Sequence, residues 1–303
     1  MNKINMTTVE EFILLAFADL YQLQIPLFFV IFNAFLICLF GNIVIIVIVR
    51  AEPSLHTPMY FFISTLSILE IITVFLIIPN LLASLIAAKR GISFHGCFLQ
   101  LFVAGIAGTA ECYLLAVMAF DRVLAINKPL QYVSIMTQRV CVQLALLPFI
   151  VGIIIALTPT VLTAKLQFCG RNEVHHFFCD FVALQSLACS SIYISEMVLN
   201  TSAIFAIGLP FTMTVGLYIY IIIIISKIKS AESKQKAFST CSSHLTVAGL
   251  FYITTIIVYA VPKGSHYDRN KEIKRALINL RMLKRCQFYT KSNLIKCVGF
   301  KNM

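Results

Sequence analysis

The stretch from Pro26 to Val49, PLFFVIFNAFLICLFGNIVIIVIV, decides the class of fold. It contains no charged residue, and its only strongly polar side chains are two asparagines. As an α-helix rising about 1.5 Å per residue it would be about 36 Å long, enough to cross roughly 30 Å of hydrocarbon. The sequence therefore predicts a transmembrane helix here.

Five more segments of similar length and apolarity follow, at 58–83, 97–120, 140–162, 197–225 and 237–261. The chain is 59% hydrophobic and only 12% charged, which excludes a water-soluble globular protein. We predict an all-α, polytopic transmembrane helix bundle. Its regions are an N-terminal segment 1–25, a bundle of six spans in 26–262, and a basic tail 263–303 with a short amphipathic helix.

The basic residues indicate the orientation of the spans. Connections 1–2, 3–4 and 5–6 carry eight of them in short segments: Arg50, Arg122, Lys128, Arg139, Lys227, Lys229, Lys234 and Lys236. The opposite side has five, spread over more chain. Since cytoplasmic loops are enriched in Lys and Arg, we expect a multi-pass plasma-membrane protein with an extracellular N-terminus. Asn5, in the acceptor triplet Asn5-Met6-Thr7, is the expected glycosylation site.

The tail conflicts with this orientation. Residues 263–303 hold eleven of the 24 Lys and Arg residues but only two acidic ones. Because a basic segment next to a span is explained by anionic lipid, we expect membrane lipid and no nucleic acid as its partner. Six crossings from an outside start would leave this tail outside. Either the tail violates the charge rule or one helix is missing.

Four of the ten cysteines, Cys97, Cys169, Cys179 and Cys189, fall on the predicted external side, where disulfides form. Four cysteines allow three pairings, and the residues alone leave all three open. A bond from Cys97, which opens the third span, would pin the loop over the helix bundle. We expect no metal site there, because the nearby histidines have no common zinc spacing and oxidised cysteine cannot ligate metal.

Two carboxylates, Glu70 and Glu111, lie inside predicted spans. A charge within the membrane is costly unless it is paired, protonated or near water, so both are functional candidates. One hypothesis is a protonated carboxyl that is hydrogen-bonded to a neighbour such as Asn42. The other is that Glu70 and Glu111 face each other and share a Na⁺ ion or a proton.

Asp121 and Arg122 close the third span at its cytoplasmic end. The two residues form either a plain interfacial charge pair or a switch that releases Arg122 to a partner protein. His244 lies low in the sixth span, where a lone histidine is more often a packing residue than a pH sensor. The sequence has no Gly-rich phosphate loop, HExxH motif or serine nucleophile elbow, so we do not expect an enzyme.

Several motifs occur in a definite order between residue 1 and about 265. They are Gly41-Asn42, Leu55-His56-Thr57-Pro58-Met59-Tyr60, Met118-Ala119-Phe120-Asp121-Arg122, Lys128-Pro129-Leu130-Gln131-Tyr132, and Lys236-Ala237-Phe238-Ser239-Thr240-Cys241-Ser242-Ser243-His244. Together with the cysteine-rich loop, this ordered set resembles the vertebrate olfactory (odorant) receptors, which are rhodopsin-like G-protein-coupled receptors.

The resemblance implies specific roles for these residues. It pairs Cys97 with Cys179 and Cys169 with Cys189, and it places Asp121 and Arg122 at the family's Asp-Arg-Tyr switch. It makes the sixth span the helix that moves to admit a heterotrimeric G protein. The residues implied for coupling on that helix are Lys236, Ser239, Thr240 and His244.

The implied function is detection of small volatile organic molecules in an apolar cavity, read out by a stimulatory olfactory-type G protein that raises cyclic AMP. The pocket candidates, from the family pattern and from helix facing, are Ala104, Gly105, Gly108, Thr109, Ala203, Ile207, Tyr252 and Tyr259. For each of them ordinary helix packing is the alternative, because small residues are common where membrane helices approach.

One departure from the family follows Pro262. Family members continue through a seventh helix, whereas here 263–268 is followed at once by Arg269-Asn270-Lys271-Glu272, which resembles the family's cytoplasmic stretch after that helix. We therefore expect that roughly one span of ~20 residues is absent and that activity is impaired. The loss would also explain the side on which the tail falls.

Two other functions stay open at this point. One is a six-span transporter or channel that uses Glu70 and Glu111 as an ion path, although no inverted repeat is visible. The other is a truncated product that does not signal and only associates with intact receptors.

Overall fold

A computed structural model describes residues 9–15, 21–86, 90–170 and 172–260, together with most side chains in these ranges. The predictions for Asn5, for the tail 263–303 and for the missing helix lie outside these residues. Within them the chain is dominated by long helices, as the sequence predicts.

The six expected spans each coincide with helical structure. The helices are α1 (Gln24–Ala51), α2 (Pro58–Ile86), α3 (Phe94–Asn127), α4 (Pro129–Ile135), α5 (Gln138–Ala164), α6 (Phe181–Gln185), α7 (Tyr193–Ala203), α8 (Leu209–Lys227) and α9 (Ala231–Ala260). Short α4 and α6 lie in connections. The long helices extend past the predicted apolar segments because a helix continues into polar surroundings while its backbone bonds remain intact.

Five spans of the described chain are long and apolar enough to cross a membrane by length and composition: α1, α2, α3, α5 and the continuous stretch Tyr193–Lys227. The sixth expected span lies in α9, which is 30 residues long but begins with a polar, charged first part. The all-α class is thus confirmed.

The fifth span is not one regular α-helix. A π-helical segment, Ile204–Gly208, separates α7 from α8. Pro210 follows after one residue, and its missing N–H interrupts the regular ladder of helical hydrogen bonds. Such π segments often occur at functional sites, and this one contains the predicted pocket residue Ile207.

A small sheet was not expected from the sequence. Strand β1 (Glu11–Leu14) pairs antiparallel with β2 (Arg90–Ser93) and parallel with β3 (Glu173–Val174), so β1 is central. These segments are too short and too far apart in the chain for a periodic pattern to reveal them. Their pairing satisfies backbone groups of three connecting segments.

The chain divides into two compact units. Unit 1 comprises Met1–Asn33, Ile72–Ala110 and Phe149–Gly208, and unit 2 comprises Ala34–Ile71, Glu111–Pro148 and Leu209–Met303. The division cuts helices α1, α2, α3 and α5 within their length. Each unit therefore contains segments of several spans and has its own packing.

Candidate functional site

Two disulfides organise unit 1. Cys97 is bonded to Cys179 across 82 residues of sequence, and Cys169 is bonded to Cys189 across 20. These are the pairs that the resemblance implies. The first bond ties the segment between α5 and α7 to the start of α3, and the second closes part of that segment on itself.

An aromatic cluster surrounds the Cys97–Cys179 disulfide. Phe12, from β1, is fully buried and contacts the rings of Phe94, Phe98 and Phe168 at centroid distances of 5.9, 6.4 and 5.4 Å. Aromatic pairs at such distances stabilise packing beyond the burial of their area. The N-terminal strand is thereby held against α3 and the loop.

Gln100 in α3 links three parts of unit 1. Its side-chain Nε2 donates to the carbonyl of Leu76 in α2 at 2.8 Å, and its Oε1 accepts from the backbone N–H of Cys179 at 3.1 Å. Gln100 is only 3% exposed, so both bonds lie in apolar surroundings, where an unpaired amide would be costly. The sequence alone did not identify this residue.

A second buried polar network joins α5, α6 and α7. Gln185 Nε2 donates to Ser195 Oγ at 2.8 Å, and Ser195 Oγ lies 3.1 Å from Thr163 Oγ1. Their exposed fractions are 4%, 3% and 0%. Asp180 caps α6, its Oδ1 accepting from the N–H groups of Val182 and Ala183, which fixes the helix that carries Gln185.

The structure separates the two predicted pocket glycines of α3. A Cβ on Gly105 would lie 3.0 Å from the Cβ of Ala156, whereas a Cβ on Gly108 would meet nothing within 4 Å. Gly105 therefore allows α3 to pack closely on α5. Gly108 is exposed and has open space beside it, and its role in ligand binding stays a prediction.

The other pocket candidates of unit 1 differ in burial. Thr109 is buried, Ala104 and Ile207 are half-buried, and Ala203 is exposed. Their role in ligand binding stays a prediction.

In unit 2, Asp121 is the centre of a charged cluster. It is fully buried, it pairs with the guanidinium of Arg122, and its Oδ1 accepts from the hydroxyl of Tyr132 at 2.7 Å. Burial, and next the hydrogen bond to Asp121, raise the pKa of Tyr132 above the ordinary 10.0, so the phenol stays protonated and can donate at neutral pH. The cluster thus holds the guanidinium of Arg122 against Asp121, the preceding residue in the chain.

Helix α4, which carries Tyr132, presents an apolar outer face. Leu130 is 98% exposed and Val133 is 80% exposed. The two residues lie three positions apart and so share one face of the helix, and contiguous exposed apolar patches are typical of protein–protein or membrane contact. Leu130 belongs to the motif Lys128-Pro129-Leu130-Gln131-Tyr132, in which no role was predicted for it, and its helical spacing from Val133 was the available signal.

His244 of α9 is packed against Tyr218 of α8. Tyr218 is 4% exposed and His244 is 6% exposed; a hydrogen bond joins the phenol and the imidazole Nδ1, and the two rings stack at 5.7 Å between centroids. The contact links the two helices. The side chains of Lys236, Ser239 and Thr240, also predicted for coupling, lie outside the described residues.

Tyr252 is used for packing within unit 2. Its hydroxyl donates to the carbonyl of Cys112 at 3.1 Å and lies 3.5 Å from Thr214 Oγ1. A hydroxyl bonded in this way orients helices α3, α8 and α9. Its predicted role toward a ligand stays a prediction, and the side chain of Tyr259 lies outside the described residues.

The two intramembrane carboxylates both belong to unit 2. Glu111 is 8% exposed and Glu70 is half-buried, and both have interaction partners. In the part of the chain that the structure describes, no three His, Cys, Asp or Glu side chains form a metal-binding group. Sodium at Glu70 and Glu111 therefore remains a hypothesis from the sequence.

Comparison with known proteins agrees with this architecture. The model of the olfactory receptor family matches residues 30–282. Olfactory receptor 2B6 of Mus musculus is 40% identical over 273 residues, 90% of this chain and 87% of the relative. Olfactory receptor 5G3 of Homo sapiens is 42% identical over 266 residues, 88% and 84% of the two chains. The long apolar helices, the paired cysteines and these relatives together show that the chain is a multi-pass membrane protein of the olfactory receptor family.

Proposed function

We propose that the protein binds small volatile organic molecules and signals through a stimulatory heterotrimeric G protein, with its N-terminus extracellular. The observation that carries the coupling part is the cluster of Asp121, Arg122 and Tyr132. Tyr132 attaches α4, with its exposed Leu130, to the end of α3 through one hydrogen bond. A change at Arg122 would therefore reach a surface suited to a protein partner.

Unit 1 supports the ligand part of the proposal. Its loop is held by two disulfides and by Gln100, and the small residues of α3 leave open space at Gly108. A fixed frame with apolar walls suits small, mostly apolar molecules, which are recognised by shape and by a few polar groups. Binding would act by favouring one of two conformations.

The sodium hypothesis is retained within this proposal. Glu70 and Glu111 would share a Na⁺ ion or a proton in the membrane interior, where isolated charges are costly. The impaired activity expected from the missing span is also part of this proposal. The sodium hypothesis and the impaired activity both require a measurement of signalling.

The test is cyclic AMP production in cells that express the full chain with an olfactory-type stimulatory G protein. We expect a weak odorant-dependent rise in cyclic AMP, weak because of the missing span, that Arg122→Ala abolishes and Leu130→Ser lowers at equal surface expression. Leu146→Ser is the matched control, since Leu146 is 55% exposed on a span. Ion flux in reconstituted vesicles that Glu70→Gln removes, without odorant-dependent cyclic AMP, would contradict the proposal.

A further inference from the structure

The two disulfides of unit 1 differ in their exposure to solvent. Cys97 and Cys179 are both fully buried, whereas Cys169 and Cys189 are both exposed. Thiol–disulfide exchange requires a thiolate to reach one sulfur of the bond, so access decides which disulfide reacts. Exposed disulfides are accordingly more labile than buried structural ones. Of these two bonds, Cys169–Cys189 is the one that a small thiol can reach.

Backbone pairing holds the two exposed cysteines side by side. The N–H of Cys189 donates to the carbonyl of Gln167 at 2.9 Å, and Phe168 forms an antiparallel bridge with Ala188. The N–H of Gln167 donates to Ser190 Oγ at 3.2 Å. These contacts do not involve the S–S bond, so they can persist when it is open. Two thiols that are kept adjacent have a high effective concentration and re-form their bond readily.

The segment between the two exposed cysteines has anchors of its own. It contains Cys179, which is bonded to Cys97, and strand β3, which pairs with β1. Opening of the exposed disulfide therefore removes one covalent tie between the residues that follow α5 and those that precede α7. The segment remains attached to α3 and to the sheet, so the change stays local.

We propose that the Cys169–Cys189 disulfide is a reversible modification site, which small thiols open and the disulfides of those thiols reclose, while Cys97–Cys179 stays closed. A thiolate attacks one Sγ, the S–S bond breaks, and the other cysteine leaves as a thiolate. A second thiolate then displaces the first cysteine from the mixed disulfide.

The reaction is balanced by the thiol itself. Two thiols are oxidised to one disulfide, the protein disulfide is reduced to two cysteines, and the two protons of the thiols pass to those cysteines. Reclosure is the reverse reaction, with the small disulfide as the oxidant. This inference concerns neither odorant binding nor signalling, so it goes beyond the proposed function and does not depend on it.

The experiment follows cysteine labelling of the full chain in lipid nanodiscs. The protein is incubated with reduced glutathione, a tripeptide thiol, and labelled with N-ethylmaleimide before unfolding, and mass spectrometry locates the label. Cys169 and Cys189 should be labelled on the order of tenfold faster than Cys97 and Cys179. Later incubation with oxidised glutathione should make both unreactive again, and without glutathione neither pair should be labelled.

A matched pair of variants tests the backbone pairing. Ser190→Ala removes the acceptor of the Gln167 N–H and should slow reclosure up to about fivefold, since one hydrogen bond that holds the cysteines together is lost. Ser186→Ala is the control. Ser186 is an exposed serine of the same segment, and its Oγ donates to the carbonyl of Ala183, so its loss should leave reclosure unchanged.

Several outcomes would overturn this inference. They are equal labelling of the two pairs, no labelling of Cys169 and Cys189 with glutathione, and labelling that oxidised glutathione does not reverse. Equal reclosure in Ser190→Ala and Ser186→Ala would overturn the role of the backbone pairing. A missing cyclic AMP response to odorants would contradict the proposed function and not this inference, because the labelling needs neither odorant nor G protein.

Discussion

The contacts within unit 1 differ in kind from the contacts within unit 2. Unit 1 has two disulfides, a three-stranded sheet and an aromatic cluster around Phe12. In unit 2 the described contacts of functional interest are side-chain hydrogen bonds and an ion pair, at Asp121, Tyr132, Tyr218 and Tyr252. Covalent bonds do not exchange at rest, whereas hydrogen bonds form and break rapidly.

This difference matches two tasks of a receptor. A frame that recognises small molecules benefits from fixed geometry, because ordering it on binding would cost affinity. A switch needs two arrangements of similar free energy, and contacts of about 1 kcal/mol each permit that. Removing a disulfide, a close packing contact and a single hydrogen bond should therefore have effects that decrease in that order.

The largest effect is expected from loss of the Cys97–Cys179 disulfide, which closes the longer loop. Cys97→Ser should abolish surface expression, because a bond that closes a loop of this length is worth about 2–5 kcal/mol in small secreted domains. Cys169→Ser should do less, by about 1 kcal/mol, since its loop is shorter. Surface immunofluorescence under non-permeabilising conditions measures both.

The control is a cysteine that forms no disulfide. Cys38→Ser removes a thiol that is buried but free and creates no unpaired sulfur. It should leave surface expression closer to that of the unmodified chain. Equal loss in Cys169→Ser and Cys97→Ser would contradict the dependence on loop length.

An intermediate effect is expected from close helix packing in unit 1. A Cβ on Gly152 would lie 2.8 Å from the carbonyl oxygen of Ile106, so Gly152→Ala requires α5 to move away from α3. Forced rearrangement of a packed contact costs about 1–3 kcal/mol. The variant should unfold at a lower temperature in detergent, followed by thiol-reactive fluorescence of the buried cysteines.

The matched control is a glycine of unit 2 in open space. A Cβ on Gly216 would meet nothing within 4 Å, so Gly216→Ala should leave the unfolding temperature unchanged or raise it, since alanine favours helix. If both substitutions lowered it equally, close packing at Gly152 would not be the reason.

The smallest effect is expected from one hydrogen bond of unit 2. Tyr132→Phe removes the donor to Asp121, worth about 1 kcal/mol, and so frees Arg122 in part. Basal cyclic AMP should rise up to about fivefold at unchanged surface expression. Tyr220→Phe is the control, because its hydroxyl has only a 3.4 Å contact with Asn127; a rise in this variant too would contradict the assignment.

Much of the fold follows from local sequence. Each span is an uninterrupted apolar segment, and in hydrocarbon only a helix satisfies every backbone group within such a segment. The positions of α1, α2, α3 and α5 could therefore be predicted without knowledge of their neighbours. The π segment at 204–208 could not, because it depends on how Pro210 is accommodated within the packed bundle.

The candidate site was predictable only where single residues are conspicuous. Asp121 and Arg122 stand out as charges at the end of an apolar segment. Gln100, Gln185 and Ser195 do not, because an uncharged polar residue in a loop or at a helix end is ordinary until its partners are known. Their partners lie between 10 and 79 residues away in the chain.

The sequence by itself determined that the chain crosses a membrane several times, since apolar length and charge are properties of single segments. The cysteine pairs that the resemblance implies were confirmed by the tertiary structure. Which glycine packs closely, which has open space beside it, and which partner a buried amide bonds were decided only there. These features depend on residues far apart in the chain coming within bonding distance, and no local pattern encodes that distance.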